Sequence, residues 1–168
     1  MGELGWFKLL FAYPDETYRD RAAACAAVTA LAEMRTFANS LAALSTGQIQ
    51  EAFIQAFDMN PNATLEIGWH LFGEQYERGE FLVNLRGRLR AAEIAECGEL
   101  PDHLLHILPL MSRMHDEDAR AFADKYVLPA LAKIETGLPK ESPFGALVRG
   151  LTQHMGVTVN PNPNVGVV

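Results

Sequence analysis

Apolar residues in this chain recur at three- and four-residue spacing almost from end to end, and strand-like alternation is nearly missing. That feature removes sheet folds, because a strand sends alternate side chains to opposite faces and writes period 2 into its sequence. The clearest faces are Ile49, Ala52, Phe53, Ala56 and Phe57, then Leu104, Ile107, Leu108 and Met111. A third runs through Ala119, Phe122, Ala123, Tyr126, Val127, Ala130 and Ile134. The chain is expected to be all-α, a single helical domain of about six to seven helices, or two lobes joined by a short proline-containing link.

The punctuation supports that reading. Tyr13-Pro14-Asp15 closes a first short helix, and Asp15 can cap the alanine-rich stretch from Tyr18 to Leu44, a long helix or a pair. Thr46 or Gly47 opens the next helix, and Asp58 to Asn62 ends it as a polar turn. Thr64 can cap a helix striped by Leu65, Trp69, Phe72 and Tyr76, with Gly73 and Gly79 interrupting and Gly98 as the stop. Asp116-Glu117-Asp118 places acids where a helix start favours them, Pro129 should kink or shorten its helix, and Ser142-Pro143 is a strong start signal. Residues 1–156 are expected to form the helical domain, with the link near 98–103. Residues 157–168, with their Asn-Pro steps, are expected to be a loose tail.

Composition matters mainly for what it excludes. Apolar residues make up 49% of the 168, too many for a disordered chain. No apolar run approaches the ~18 residues of a membrane span, and no basic region leads into an apolar block at the start. Membrane insertion is therefore not expected, and the cytoplasm is the default compartment. Met1-Gly2 is followed by Trp6 where a myristoylation signal wants Ser or Thr. A formal charge of −7 argues against nucleic acid, whose phosphates need a basic face, and leans toward a basic partner. Cys25 and Cys97 lie beside alanines in helical context and read as buried free thiols, not a disulfide framework.

Motifs of catalysis are missing. Gly68 and Gly73 stand five apart, but Glu74 follows where a phosphate loop needs lysine. A bundle di-iron site wants Glu-x-x-His twice, and none occurs. His103 and His106 are three apart with only Asp102 nearby, which suits cap or surface histidines better than a metal. Glu66, His70 and Glu74 follow at i,i+4, which would place two acids and an imidazole on one helix stripe beside Trp69 and Phe72. An aromatic and acidic face suits an amphipathic basic peptide, although either ring alone could be core. No enzyme, cofactor or metal is expected.

Several segments in order then carry a resemblance: Tyr13-Pro14-Asp15, Phe57-Asp58, His70-Leu71-Phe72-Gly73-Glu74 with Arg78-Gly79, and Glu99-Leu100-Pro101-Asp102-His103-Leu104. From about Trp6 to Met111 the chain resembles the NarJ branch of the NarJ/TorD chaperones, which mature molybdenum enzymes of the dimethyl sulfoxide reductase superfamily. It departs from the family at Phe53, Ala56, Tyr76 and Leu105 and in the segment His106 to Pro109. The resemblance implies a non-catalytic cytoplasmic chaperone. Its partner would be the apo catalytic subunit of a molybdenum oxidoreductase, held by a basic, then apolar, twin-arginine-like N-terminal peptide until the molybdenum cofactor is inserted. A helical adaptor or regulatory domain without a role in cofactor insertion is the alternative.

The peptide-binding residues expected on this basis are Trp69, His70, Phe72 and Glu74 on one helix, with Glu99, Pro101, Asp102 and His103 in the link. In that expectation Gly98 ends one helix, Asp102 caps the next, and Glu99 and His103 are polar handles at the mouth of a groove.

Overall fold

The computed structural model describes residues 2–159. In order these form α1 (Glu3–Leu10), α2 (Tyr18–Thr29), α3 (Ala32–Leu41), α4 (Thr46–Phe53), α5 (Ile67–Phe72), α6 (Tyr76–Ala91), α7 (Leu104–Met111), α8 (Asp116–Phe122), α9 (Leu128–Gly137) and α10 (Phe144–Val159). Among the described residues the one β pairing is an isolated antiparallel bridge between Glu66 and His103. The rest of the expected tail, 160–168, lies outside the described residues; α10 continues past Met155 to Val159.

Local chemistry explains most boundaries. The Ser45 hydroxyl accepts a hydrogen bond from the Gln48 amide while the Gln48 side-chain oxygen accepts one from the Ser45 amide, a reciprocal cap that starts α4. The Ser142 hydroxyl accepts from the Phe144 amide at the head of α10. Asp15 accepts from both the amide and the hydroxyl of Thr17 just ahead of α2. Three acids fill the first turn of α8, against the positive end of the helix dipole.

Other boundaries differ from expectation. The alanine-rich stretch is a pair of helices, broken where Ala30 takes a left-handed conformation, φ 53°. The helix expected to stop at Gly98 ends at Ala91. Glu93 turns left-handed at φ 55°, and the Ile94 amide reaches back to the Leu89 carbonyl. Cys97 therefore lies beyond the helix and is exposed, whereas Cys25 is buried as expected.

Two helices carry π turns. α4 runs into one at Ile54–Asp58, where the Met59 amide bonds the Ile54 carbonyl. α8 passes through another at Ala123–Val127 into α9, where the Leu128 amide bonds the Ala123 carbonyl. Pro129 sits just beyond the second turn. It has no amide hydrogen and its ring would crowd the carbonyl four residues back, so a widened turn relieves the clash without ending the helix.

One contiguous core joins all of this. Its centre is aromatic: Phe144, at the start of α10, packs against Phe37, Phe53 and Phe57 with ring centroids 5.2–5.7 Å apart. Tyr18 is fully buried, and its hydroxyl donates to the Leu10 carbonyl. α1 packs on α2 and α7, α3 on α10, and α5 on α6 and α9. Helices from both sides of the link share the core, so the chain forms the expected single domain and not two lobes.

Candidate functional site

The two most distinctive segments, 64–74 and 98–104, lie against each other. The Ile67 amide donates to the Asp102 carbonyl (2.9 Å) and the Leu104 amide to the Leu65 carbonyl (3.1 Å). This short backbone clasp sets the start of α5 beside the start of α7.

Asp102 is fully buried at the clasp. Its Oδ2 receives Arg78 Nη2 at 3.3 Å and Nε at 3.4 Å. Its Oδ1 has no hydrogen-bond partner in the structure. Burial pushes the Asp102 carboxyl above the usual carboxylate range, against the pull of Arg78. Gly68 makes room for it: a Cβ there would come within 2.4 Å of Oδ2. The two glycines that superficially suggested a phosphate loop have this use instead: Gly68 admits a carboxylate, and Gly73, at φ +58°, ends α5.

Arg78 carries the arrangement outward. Its guanidinium lies over the Trp69 ring, 5.6 Å from the centroid. The Trp69 Nε1–H donates to the Pro61 carbonyl at 3.1 Å. His70 bonds the Thr64 carbonyl through Nε2 at 2.7 Å, and Lys133 of α9 donates to the His70 carbonyl at 2.7 Å. Burial holds the His70 imidazole below its ordinary pKa. Trp69 and His70, with Pro61 beside them, line an open groove of about 640 Å³ whose other wall comes from Lys133 and Thr136 of α9. The loop at 60–62 closes on the end of α9: Asn60 Nδ2 donates to the Gly137 carbonyl, and a Cβ on Gly137 would meet the Asn62 carbonyl oxygen at 1.9 Å.

The remaining expected residues divide. Phe72 is half-buried, packing on Phe81 with centroids 5.4 Å apart. Glu74 and Glu99 are exposed, and Pro101 is buried. His103, expected as a handle at the groove mouth, is 7% exposed. It, and not Asp102, caps α7: its Nδ1 accepts from the Leu105 amide at 3.1 Å. Burial pushes its imidazole down to about 4, which suits a ring nitrogen that must accept. The Glu66, His70 and Glu74 stripe does not form, because α5 starts only at Ile67 and stops before Gly73. Glu66 instead accepts from the Thr64 hydroxyl.

His106, the other half of the His103 pair, is buried and ties the link together. Its Nε2 accepts from the Cys97 amide (2.9 Å), and its Nδ1–H donates to the Leu100 carbonyl (2.8 Å). Among the described residues no group of three or more His, Cys, Asp or Glu could hold a metal, and no helix is long and apolar enough to cross a membrane. The sequence reading missed Pro61, Lys133 and Thr136 as groove walls. In the sequence Arg78 stands out only as part of the Arg78-Gly79 motif.

The chain is similar to known proteins. A family model described as "Nitrate reductase delta subunit" matches residues 20–138. The chain is also 29% identical, over 156 residues, to "Probable nitrate reductase molybdenum cofactor assembly chaperone NarW" of Escherichia coli (strain K12). That match covers 90% of this chain and 67% of the relative.

Proposed function

We propose, for a chain that belongs to the nitrate reductase delta subunit family, a role as an assembly chaperone for a molybdenum oxidoreductase, acting by capture of its partner's N-terminal peptide. The partner is the apo catalytic subunit of a nitrate reductase or related enzyme of the dimethyl sulfoxide reductase superfamily. The relative's name supports the assembly role. Nothing in this reading is catalytic for the chaperone itself. It holds the subunit in the cytoplasm until the molybdenum cofactor is inserted.

The observation that carries the capture reading is the convergence on Trp69 of two of the resembled segments, those that hold Arg78 and Asp102. Asp102 holds Arg78, Arg78 lies over the indole, and Pro61 holds the indole N–H. The ring is thereby fixed beside an open groove. A preorganised aromatic wall loses little freedom when an apolar helix face settles on it.

The basic part of the peptide is drawn by the whole molecule's charge of −7. The groove itself carries Lys133. Steering then affects encounter more than the bound contact, and salt should weaken binding moderately.

Calorimetric titration with the N-terminal peptide of the molybdenum subunit encoded beside this chain, at two salt concentrations, tests the reading. Saturable binding that a folded Trp69→Ala protein loses is the expected result. A folded protein that ignores a soluble peptide at both salts would favour the adaptor alternative.

A further inference from the structure

On another side of the molecule, between the end of α6, the end of α7 and α8, lies a second groove of about 640 Å³. Its floor is apolar and includes Leu110, Met114, Phe122 and Tyr126. Three exposed cations from three separate segments overhang it: Arg88 of α6, Arg113 after α7, and Lys125 in the π turn. In a chain with 21 acids and 14 Lys and Arg residues, three cations on one groove stand out. Among the described residues none of the three forms an ion pair with a carboxylate. One acid, Asp118, shares the lining.

The cations are instead laid over the floor. The Arg88 guanidinium sits 5.8 Å from the Phe122 centroid, and the Lys125 ammonium 5.0 Å from that of Tyr126. Arg113 donates to the Ala92 carbonyl. The π turn belongs to this design, since an added residue in one helical turn re-aims the side chains it carries, here Lys125 and Tyr126.

We infer that this groove binds an acidic amphipathic segment of a partner protein, with its apolar face on Phe122, Tyr126 and Met114 and its carboxylates on Arg88, Arg113 and Lys125. Charge complementarity selects the occupant. The floor is apolar and open, which suits a helix face. The cations are spread along the groove and not gathered on one point, which suits carboxylates spaced along a chain. A compact polyphosphate fits less well. It would reach only part of a cation set spread over three separate segments. This surface is separate from the Trp69 groove and shares no lining residue with it.

The test uses the full chain and two fluorescein-labelled helical peptides of about 18 residues, each with leucine on one face. One carries glutamate on the other face, and its twin carries lysine. Anisotropy titration should give saturable binding of the glutamate peptide, weakened about tenfold in an Arg88→Gln/Lys125→Gln protein. Both substituted residues are exposed, so thermal melting should be unchanged. A Trp69→Ala protein should bind the glutamate peptide as wild type does, so this result stands or falls apart from peptide capture at Trp69. Failure of the glutamate peptide to bind, equal binding by the doubly substituted protein, or equal binding of the lysine twin would each overturn the inference. So would complete displacement by tripolyphosphate at matched ionic strength, which would make the groove a site for small anions.

Discussion

The α5 face and the α8 face use their polar groups in opposite ways. On the α5 face nearly every conspicuous side chain is engaged by the chain itself: Asp102 by Arg78, Trp69 by Pro61, His70 by Thr64, His103 by the Leu105 amide. On the α8 face Arg88 and Lys125 rest on aromatic rings with no carboxylate partner. The first arrangement fixes a shape, and the second leaves charge available. Residues of a recognisable motif can thus be mostly architecture. Of the eight expected peptide-binding residues, Trp69 and His70 line the groove, whereas Asp102 and His103 build the wall behind it.

The comparison predicts unequal responses to substitution. The largest effect should come from Asp102→Ala, which strands Arg78 and empties a buried site. Denaturant unfolding should show a loss of about 2–4 kcal/mol, less than for a fully enclosed pair because Arg78 is partly exposed. Asp102→Asn should cost much less, about 1 kcal/mol, because one oxygen already lacks a partner and the fold resists the charge. Equal losses would show that the charge itself holds the clasp.

Next in size is Gly68→Ala, about 1–3 kcal/mol by the same measurement, from the close approach of Asp102. If it proved neutral, Asp102 would be free to move, and the rigid-wall account would be broken.

The pH dependence follows from the buried imidazoles. His103 titrates near 4 in the fold, and His70 and His154 are also held below their ordinary value by burial. The unfolded chain therefore takes up protons first as pH falls. Stability should be complete above about pH 6.5 and should decline as pH drops from there toward 4. Asp102, whose pKa is raised, works in the opposite direction at the acid end of that window. Melting temperature followed from pH 7 to 5 should fall, and His103→Asn, which can still cap α7, should flatten the slope. An unchanged slope would remove His103 as its source.

The smallest effect belongs to the other face: Arg88→Gln should change stability by no more than about 0.5 kcal/mol. A larger loss would mean that its contact with Phe122 is structural and not held for a partner.

These differences also explain what could be read from the sequence. Helical period, the Ser45 cap and the Ser142 start are local, and they are visible as residues in a row. The break at Ala30 is not, since alanine is the best helix former and only packing puts it at φ 53°. Asp102 is the better cap by preference, yet tertiary structure overrides it. Gly68 and Arg78 draw the carboxylate inward, and the cap falls to His103. His70 and Lys133 meet across 63 positions, and Arg88, Arg113 and Lys125 share a groove with no spacing that links them. The Trp69 wall of the groove was legible from the apolar stripe that includes Trp69, although Phe72 of that stripe packs on Phe81 instead. The opposite wall was not, because it is supplied by a distant helix.

Hydrogen exchange of the full chain, with and without the N-terminal peptide of the molybdenum subunit, tests the central claim most directly. The account predicts new protection at 61–73 and 132–137, where the two walls of the Trp69 groove lie. Saturable binding that protects other segments and leaves both walls unchanged would contradict it.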